Sequence, residues 1–167
     1  MTPLPDLARL TELAPGLDAF IAEHLPLAHA ARLRLARVDA DGLVLSAPLA
    51  CNSNHHGTAF GGSLYVAGLA AAWGLVHLLQ QLAGLNDAAL VVGEARARYL
   101  RPVTQDFEAV ATLPSPSAFS GFAQALRSGQ KGELNVTARV FQSGKPAFEL
   151  GCNFAARVPR PGGSSPA

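Results

Sequence analysis

From Phe60 to Val76 every residue but Ser63 is apolar, and the run continues through His77, Gln80 and Gln81 to Ala83. An apolar stretch of roughly 17 residues stands near the lower limit for a membrane span. Its four glycines, Gly61, Gly62, Gly68 and Gly74, and its polar exit point instead to a helix over residues 61–83 enclosed by protein. A helix covered on several sides must be apolar nearly all round. Gly68, Ala70, Ala71, Ala72 and Gly74 let neighbouring strands approach, while Leu64, Leu69, Trp73, Leu75 and Val76 fill the remaining space. Gly84 reads as its C-terminal stop.

The flanks supply the strands for such an enclosure. Leu33 and Leu35 alternate with arginines, and Leu43, Leu45, Ala47 and Leu49 follow after Asp41-Gly42, a hairpin turn signal. Val91–Leu100 alternates Arg96 and Arg98 on one face with Ala95, Ala97 and Tyr99 on the other, and Pro102 ends it. Further strands are expected at Phe107–Leu113, around Leu134–Val140 and around Phe148–Phe154, with Ser143-Gly144 as a turn. A short apolar helix pattern falls around Phe119, Phe122, Ala123 and Leu126. Leu7 to His24 has helical spacing broken at Pro15-Gly16, giving two short pieces. Strands gathered around one long helix predict an antiparallel α+β fold. The expected organisation is one domain over 1–158, its N-terminal helical segment at 1–24, with a Pro/Gly/Ser tail at 159–167 expected to be disordered.

Composition narrows the function classes. The 167 residues are 49% hydrophobic and 15% charged, against roughly 25% charged in an average soluble domain. Net charge is +1, so the broad basic field needed for non-specific nucleic-acid binding is missing. Cys51 and Cys152 are too few for a disulfide scaffold. The start has no basic segment followed by an apolar one. A cytoplasmic chain with reduced cysteines and no membrane partner is expected.

The chemistry is expected where a polar loop meets the helix: Asn52-Ser53-Asn54-His55-His56-Gly57-Thr58-Ala59-Phe60-Gly61-Gly62-Ser63-Leu64. A helix N-terminus leaves N–H groups unpaired and carries partial positive charge. The N–H groups near Gly61 and Gly62 are candidates to hold a carbonyl oxygen or a developing oxyanion. The alternative is that both glycines serve only packing and a turn. His55 and His56 have no Cys, Asp or further His at ligand spacing, so no metal site is expected. For His55 a loop-anchoring hydrogen bond is the ordinary reading.

The run Asn54–Leu64, the apolar helix after it and the later Arg98-Tyr99-Leu100-Arg101-Pro102 resemble the hotdog superfamily. Within it, Asn-x-Asn-x-His-Gly-Thr-x-Phe-Gly-Gly-Ser-Leu is similar to the thioesterase-type family of YiiD C-terminal domains, over most of Leu25 to Arg157. In that family the domain is often joined to an acetyltransferase, for which this chain has no room. The resemblance implies a hotdog fold, a curved antiparallel sheet wrapped around the helix. It implies a homodimer or a dimer of dimers with the site at the subunit interface. The ligand class is acyl thioesters of coenzyme A or acyl carrier protein, with coenzyme A as part of the substrate and no other cofactor. Gly61 N–H takes the oxyanion role with help from Gly62, Asn54 positions water or thioester, and His56 serves as acid/base or donor.

The sequence departs from that pattern at one place. Related thioesterases set an Asp or Glu about two turns into the helix, and Leu69 stands there; no carboxylate occurs from Phe60 to Ala83. A replacement must come from elsewhere. Glu94 is the leading candidate, on a strand expected to reach the dimer interface and to share a face with Val92, Arg96 and Arg98. Its alternative is an ion pair with Arg96 or Arg98. Asp87 and Asp106 are weaker loop candidates. Ser63 and Tyr65 are candidates to line the acyl channel, with helix capping and core packing as their alternatives. Arg98 and Arg101 are candidates for coenzyme A phosphates, Arg101 equally for a solvated position. The channel is expected around Tyr65, Trp73 and Phe122. Phe119, Phe122 and Leu126 are either an acyl lid or helix-to-sheet packing. Thioester hydrolysis leads. A non-catalytic acyl-CoA or acyl-chain binder competes because of Leu69. A hotdog dehydratase would need the same missing helix carboxylate.

Overall fold

A computed structural model describes residues 7–159; the expected tail falls outside them except for Pro159. The N-terminal pieces are α1 (Leu7–Leu13) and α2 (Pro15–His24), parted at Ala14-Pro15. A third helix, α3 (Pro26–Ala30), was not expected. With five residues it is too short to show a periodicity. The remaining order is β1 (Arg34–Asp39), β2 (Gly42–Ala47), a 3-10 turn Leu49–Cys51, α4 (Gly61–Leu82), β3 (Ala89–Tyr99), β4 (Phe107–Thr112), α5 (Pro116–Arg127), β5 (Gly132–Gln142) and β6 (Lys145–Arg157).

The six strands form one antiparallel sheet in the order β1-β2-β4-β5-β6-β3. It wraps around α4, giving the α+β hotdog fold. The inward residues of the strands, Leu43, Leu45, Ala109, Ala111, Val136, Ala138, Leu150, Cys152 and Phe154, form one core with Leu64, Ala67, Ala71, Leu75 and Leu78 of α4. Small residues set the approach distance: a Cβ added at Gly68 would stand 3.0 Å from Phe148 Cε1 and 3.3 Å from Leu150 Cδ2. α4 is long and apolar enough to cross a membrane, but most of its apolar stretch is buried inside the protein. It ends as the sequence suggests, with Gly84 in the left-handed region at φ 69° and Leu85 N–H donating to Gln80 C=O.

The burial of α4 is uneven. Gly62, Val66, Leu69, Trp73, His77 and Gln81 stay half-buried while most residues between them are buried. They recur every three or four positions, so they form one stripe along one helix face. β3 runs back beside this stripe, from Ala88, whose C=O accepts from Gln80 Nε2, to Tyr99, whose Oη donates to Gly61 C=O.

The expectation that Glu94 shares a face with Val92 is corrected by a β-bulge. Val92 pairs with Phe154 but Glu94 pairs with Asn153, so Gly93 is extra. One inserted residue reverses the inward-outward phase. Leu90 and Val92 lie on the sheet face of Ala156 and Phe154, toward α4, and so do Ala95, Ala97 and Tyr99 beyond the bulge. Glu94, Arg96 and Arg98 lie on the opposite face with Asn153, Gly151 and Glu149.

Candidate functional site

The loop before α4 is held by its own asparagines. Asn52 is 2% exposed and donates through Nδ2 to Ala31 C=O and Pro48 C=O, both at 2.8 Å. Phe60 N–H donates to Asn52 C=O at 2.7 Å, and Ala59 N–H to Val103 C=O at 2.8 Å. Asn54 Oδ1 accepts from His56 N–H at 2.9 Å and from Thr58 N–H at 3.2 Å, while its Nδ2 contacts Thr58 Oγ1 at 3.0 Å. An asparagine bonding the backbone two residues on is a local turn former. Asn54 thus shapes the loop from which His56 projects. His55 and His56 are exposed and their rings meet at a tilt of 42° with centroids 3.8 Å apart. Among the described residues, no group of three His, Cys, Asp or Glu forms a metal cluster.

This loop delivers the chain into α4 with Phe60 as an extended N-cap that supplies no side-chain hydrogen bond. The first-turn N–H groups therefore project at a terminus without a capping side chain. Two aromatics flank it. Tyr99 crosses Gly61, where an added Cβ would come within 3.2 Å of Tyr99 Cε1. The Phe60 ring lies over Gly62, 2.5 Å from an added Cβ. Both rings are more than half exposed. Neither stood among the expected site residues, although both belong to the quoted motifs. The signal for Tyr99 was an aromatic at the end of a strand; its contact 38 residues away was not readable.

Beside the α4 stripe lies an apolar trough of about 330 Å3. Its floor is Val66, Leu69, Ala70 and Trp73, one wall is Val92 and Phe154, and the other is His24 to Ala28 where α2 gives way to α3. Leu69, at the place of the missing carboxylate, is part of that floor. Trp73 closes one end in an aromatic cluster, with its ring 4.7 Å from His77 and 5.3 Å from Phe20. Beyond Trp73 a second cavity of about 460 Å3 is lined by His77, Gln80, Gln81 and Asn86 among others. Desolvation lowers the pKa of His77 below the usual imidazole value, and its Nε2 stands 3.0 Å from Gln81 Nε2. A wider cleft of about 630 Å3 opens along Arg37, Asp41, Asp106, Glu108 and Arg139. It touches neither the stripe nor the helix terminus, and Arg37 is paired with Glu108 at 2.8 Å and Asp39 at 3.0 Å.

The structure brings only part of the expected set together. Gly61, Gly62 and Ser63 open α4, and Asn54 and His56 belong to the loop leading into it. Tyr65 is half-buried against the core and is not part of the trough lining. Phe119, Phe122 and Leu126 are buried on α5, which binds the other end of α4 through Arg127 and Ala83 C=O. Trp73 lines the trough; Phe122 does not. Glu94 is exposed on the outer sheet face, 3.6 Å from Arg96. Arg98 pairs with Glu149 at 3.3 Å on that same face. Arg101 donates to Pro146 C=O beyond the end of β3. Asp106 accepts from Leu49 N–H at 2.8 Å. Asp87 follows the C-terminus of α4, about 30 Å along the helix from Gly61 at about 1.5 Å per residue.

Comparison with known proteins agrees with this architecture. The family model described as "Putative thioesterase (yiiD_Cterm)" matches residues 15–157. A "putative thioesterase" from Shewanella oneidensis is 30% identical, covering 89% of this chain and 99% of that one, with a TM-score of 0.76. A protein of unknown function from Chlorobaculum tepidum is 29% identical over 90% of this chain and 98% of that one, with a TM-score of 0.84. A "probable thioesterase" from Pseudomonas aeruginosa is 18% identical over 86% of this chain and 94% of that one, with a TM-score of 0.65, and shares the fold. The chain therefore belongs to the YiiD C-terminal family of hotdog-fold, thioesterase-like proteins.

Proposed function

We propose that this protein hydrolyses acyl thioesters of coenzyme A or acyl carrier protein. The observation that carries the reading is an N-terminus of α4 without a capping side chain, standing on the same helix face as an apolar trough. The thioester carbonyl takes hydrogen bonds from Gly61 N–H and Gly62 N–H, where the helix dipole favours developing negative charge. The acyl chain lies over Val66 and Leu69. Ser63 lines the start of that path, and Arg101 is the cation at the end of β3 offered to coenzyme A phosphates. Arg98 would reach them only by leaving Glu149.

Water needs a base. His56 is the first choice, because the Asn54 turn holds it in the loop that enters Gly61. Glu94 would have to act from the sheet face that carries Arg96. The site is completed by a second copy of the chain. β3 is an edge strand of eleven residues whose Val91 is 59% exposed, and a long edge leaves backbone N–H and C=O groups open to pairing. The free thiols of Cys51 and Cys152 support a reducing compartment, the cytoplasm, for this reaction.

The test is thiol release from acyl-CoAs of graded chain length at neutral pH, for wild type, His56→Ala and Glu94→Gln. The expected result is a chain-length optimum with turnover at least about tenfold lower in His56→Ala, about 1.4 kcal/mol in the barrier. A tenfold loss in Glu94→Gln gives the base to Glu94 instead. The second reading, an acyl-CoA binder without chemistry, is favoured by the lack of any carboxylate on the α4 stripe. Saturable binding with no thiol release would select it.

A further inference from the structure

We infer that Trp73 is a chain-length stop and that the trough selects medium-chain acyl groups; this rests on reading the trough as the acyl channel. Gly62 and Trp73 lie on one stripe of α4, eleven positions apart, which is about 16 Å of helix. A helical side chain leans back over the preceding turn, so the indole leaves about 11 Å of helix face between the Gly62 terminus and itself, the far part of which is the trough floor. A zigzag carbon chain advances about 1.3 Å per bond, given C–C bonds of about 1.5 Å. That face therefore accommodates about eight to ten carbons. The trough's volume of about 330 Å3 lies at the small end of ligand pockets, which run about 300–1,000 Å3.

Two further observations make Trp73 a stop. It is held from behind by Phe20 and His77, with the His77 ring nearly parallel at 14°, so it cannot swing aside without breaking that stack. The space past it is mixed, with His77, Gln81 and Asn86 on its wall beside Phe20, Ala88 and Leu90. An alkyl end pushed there would desolvate the polar groups without offering a hydrogen bond in return.

Trp73 is the single tryptophan of the chain, so its emission reports what reaches the end of the trough whether or not hydrolysis follows. The full chain is titrated with free coenzyme A and with acetyl-, butyryl-, octanoyl-, decanoyl- and tetradecanoyl-CoA, and thiol release is followed alongside. The expected emission change is absent for coenzyme A and the two short chains and begins near octanoyl. Where turnover is measurable, its optimum lies near eight to ten carbons. Trp73→Ala moves the preferred length upward by about four carbons; Leu69→Trp, which raises the floor a turn earlier, moves it downward. For these variants, preferred length is read by competition binding as well as by rate. Length-dependent emission without thiol release would sink hydrolysis and keep the stop. The stop itself is overturned by an emission change that ignores chain length, by a preferred length that neither variant moves, or by no acyl-CoA binding at all. Emission that follows protein concentration rather than ligand would give the trough to a second copy and overturn it too.

Discussion

Asn54 illustrates how a residue of a functional motif can act through the backbone around it. Its Oδ1 takes the N–H groups of His56 and Thr58, and its Nδ2 faces the Thr58 hydroxyl. If its role is to shape the loop, Asn54→Asp keeps the accepting oxygen and should retain most turnover, while Asn54→Ala should lose at least about tenfold. Equal losses in both variants would mean that the side-chain N–H2 itself is needed. The two cysteines make a second contrast. Cys51 is exposed and Cys152 is buried, its thiol pushed up to about 11 by desolvation. The thiolate is the reactive form, so a chromogenic disulfide reagent at neutral pH should count one thiol quickly and the second only on unfolding. Rapid reaction of both would contradict the burial of Cys152 on the inner face of β6.

Among the elements, α4 carries the tightest constraint. Gly68→Val places methyl groups against Phe148 and Leu150, where a bare Cβ already meets 3.0 Å, and should cost about 1–3 kcal/mol by overpacking. Denaturant midpoints check this. His77 gives the stripe a pH dependence. Its native pKa is lowered by burial, so the unfolded chain binds the proton more readily. The stabilisation is complete above the unfolded value near 6.5 and is lost progressively as pH falls from there toward the lowered native value. Melting temperature followed from pH 7.5 to 5 should fall, and His77→Gln should flatten that fall; an unchanged slope would assign it to other groups. The faces around α4 were legible because alternation and helical spacing are local properties. Ala95, Ala97 and Tyr99 share one face opposite Arg96 and Arg98, as the alternation predicts, and that face turns toward α4. The Gly93 bulge was not read, since a glycine in a strand is compatible with regular pairing, and so Val92 and Glu94 were joined on one face. The reach of Tyr99 to Gly61 and the burial of Asn52 were hidden because both depend on residues distant in sequence. The trough wall at Leu25–Ala28 was hidden because it depends on a helix too short to leave a pattern.

At the scale of the whole molecule, sheet order leaves β3 and β1 as edges, and β3 is the longer, with Val91 and Val92 exposed. Sedimentation should therefore find a species at least twice the 17.3 kDa of one chain. A monomer retaining full turnover at micromolar concentration would remove the second copy from the site. The bulge in this same strand has a consequence for which length changes the chain can survive. Gly93 is a phase shift of one residue. Pair it regularly with Asn153 and the two halves of β3 can no longer both keep their sides. If the first half held, Glu94, Arg96 and Arg98 would turn toward the helix and bury three charges. If the second half held, Leu90 and Val92 would turn outward and the trough would lose a wall. Delete Gly93 instead, and Val92 and Glu94 face consecutive residues of β6 with both halves on their present sides. This exposed strand can lose that one residue as a loop would, but it cannot straighten while keeping it.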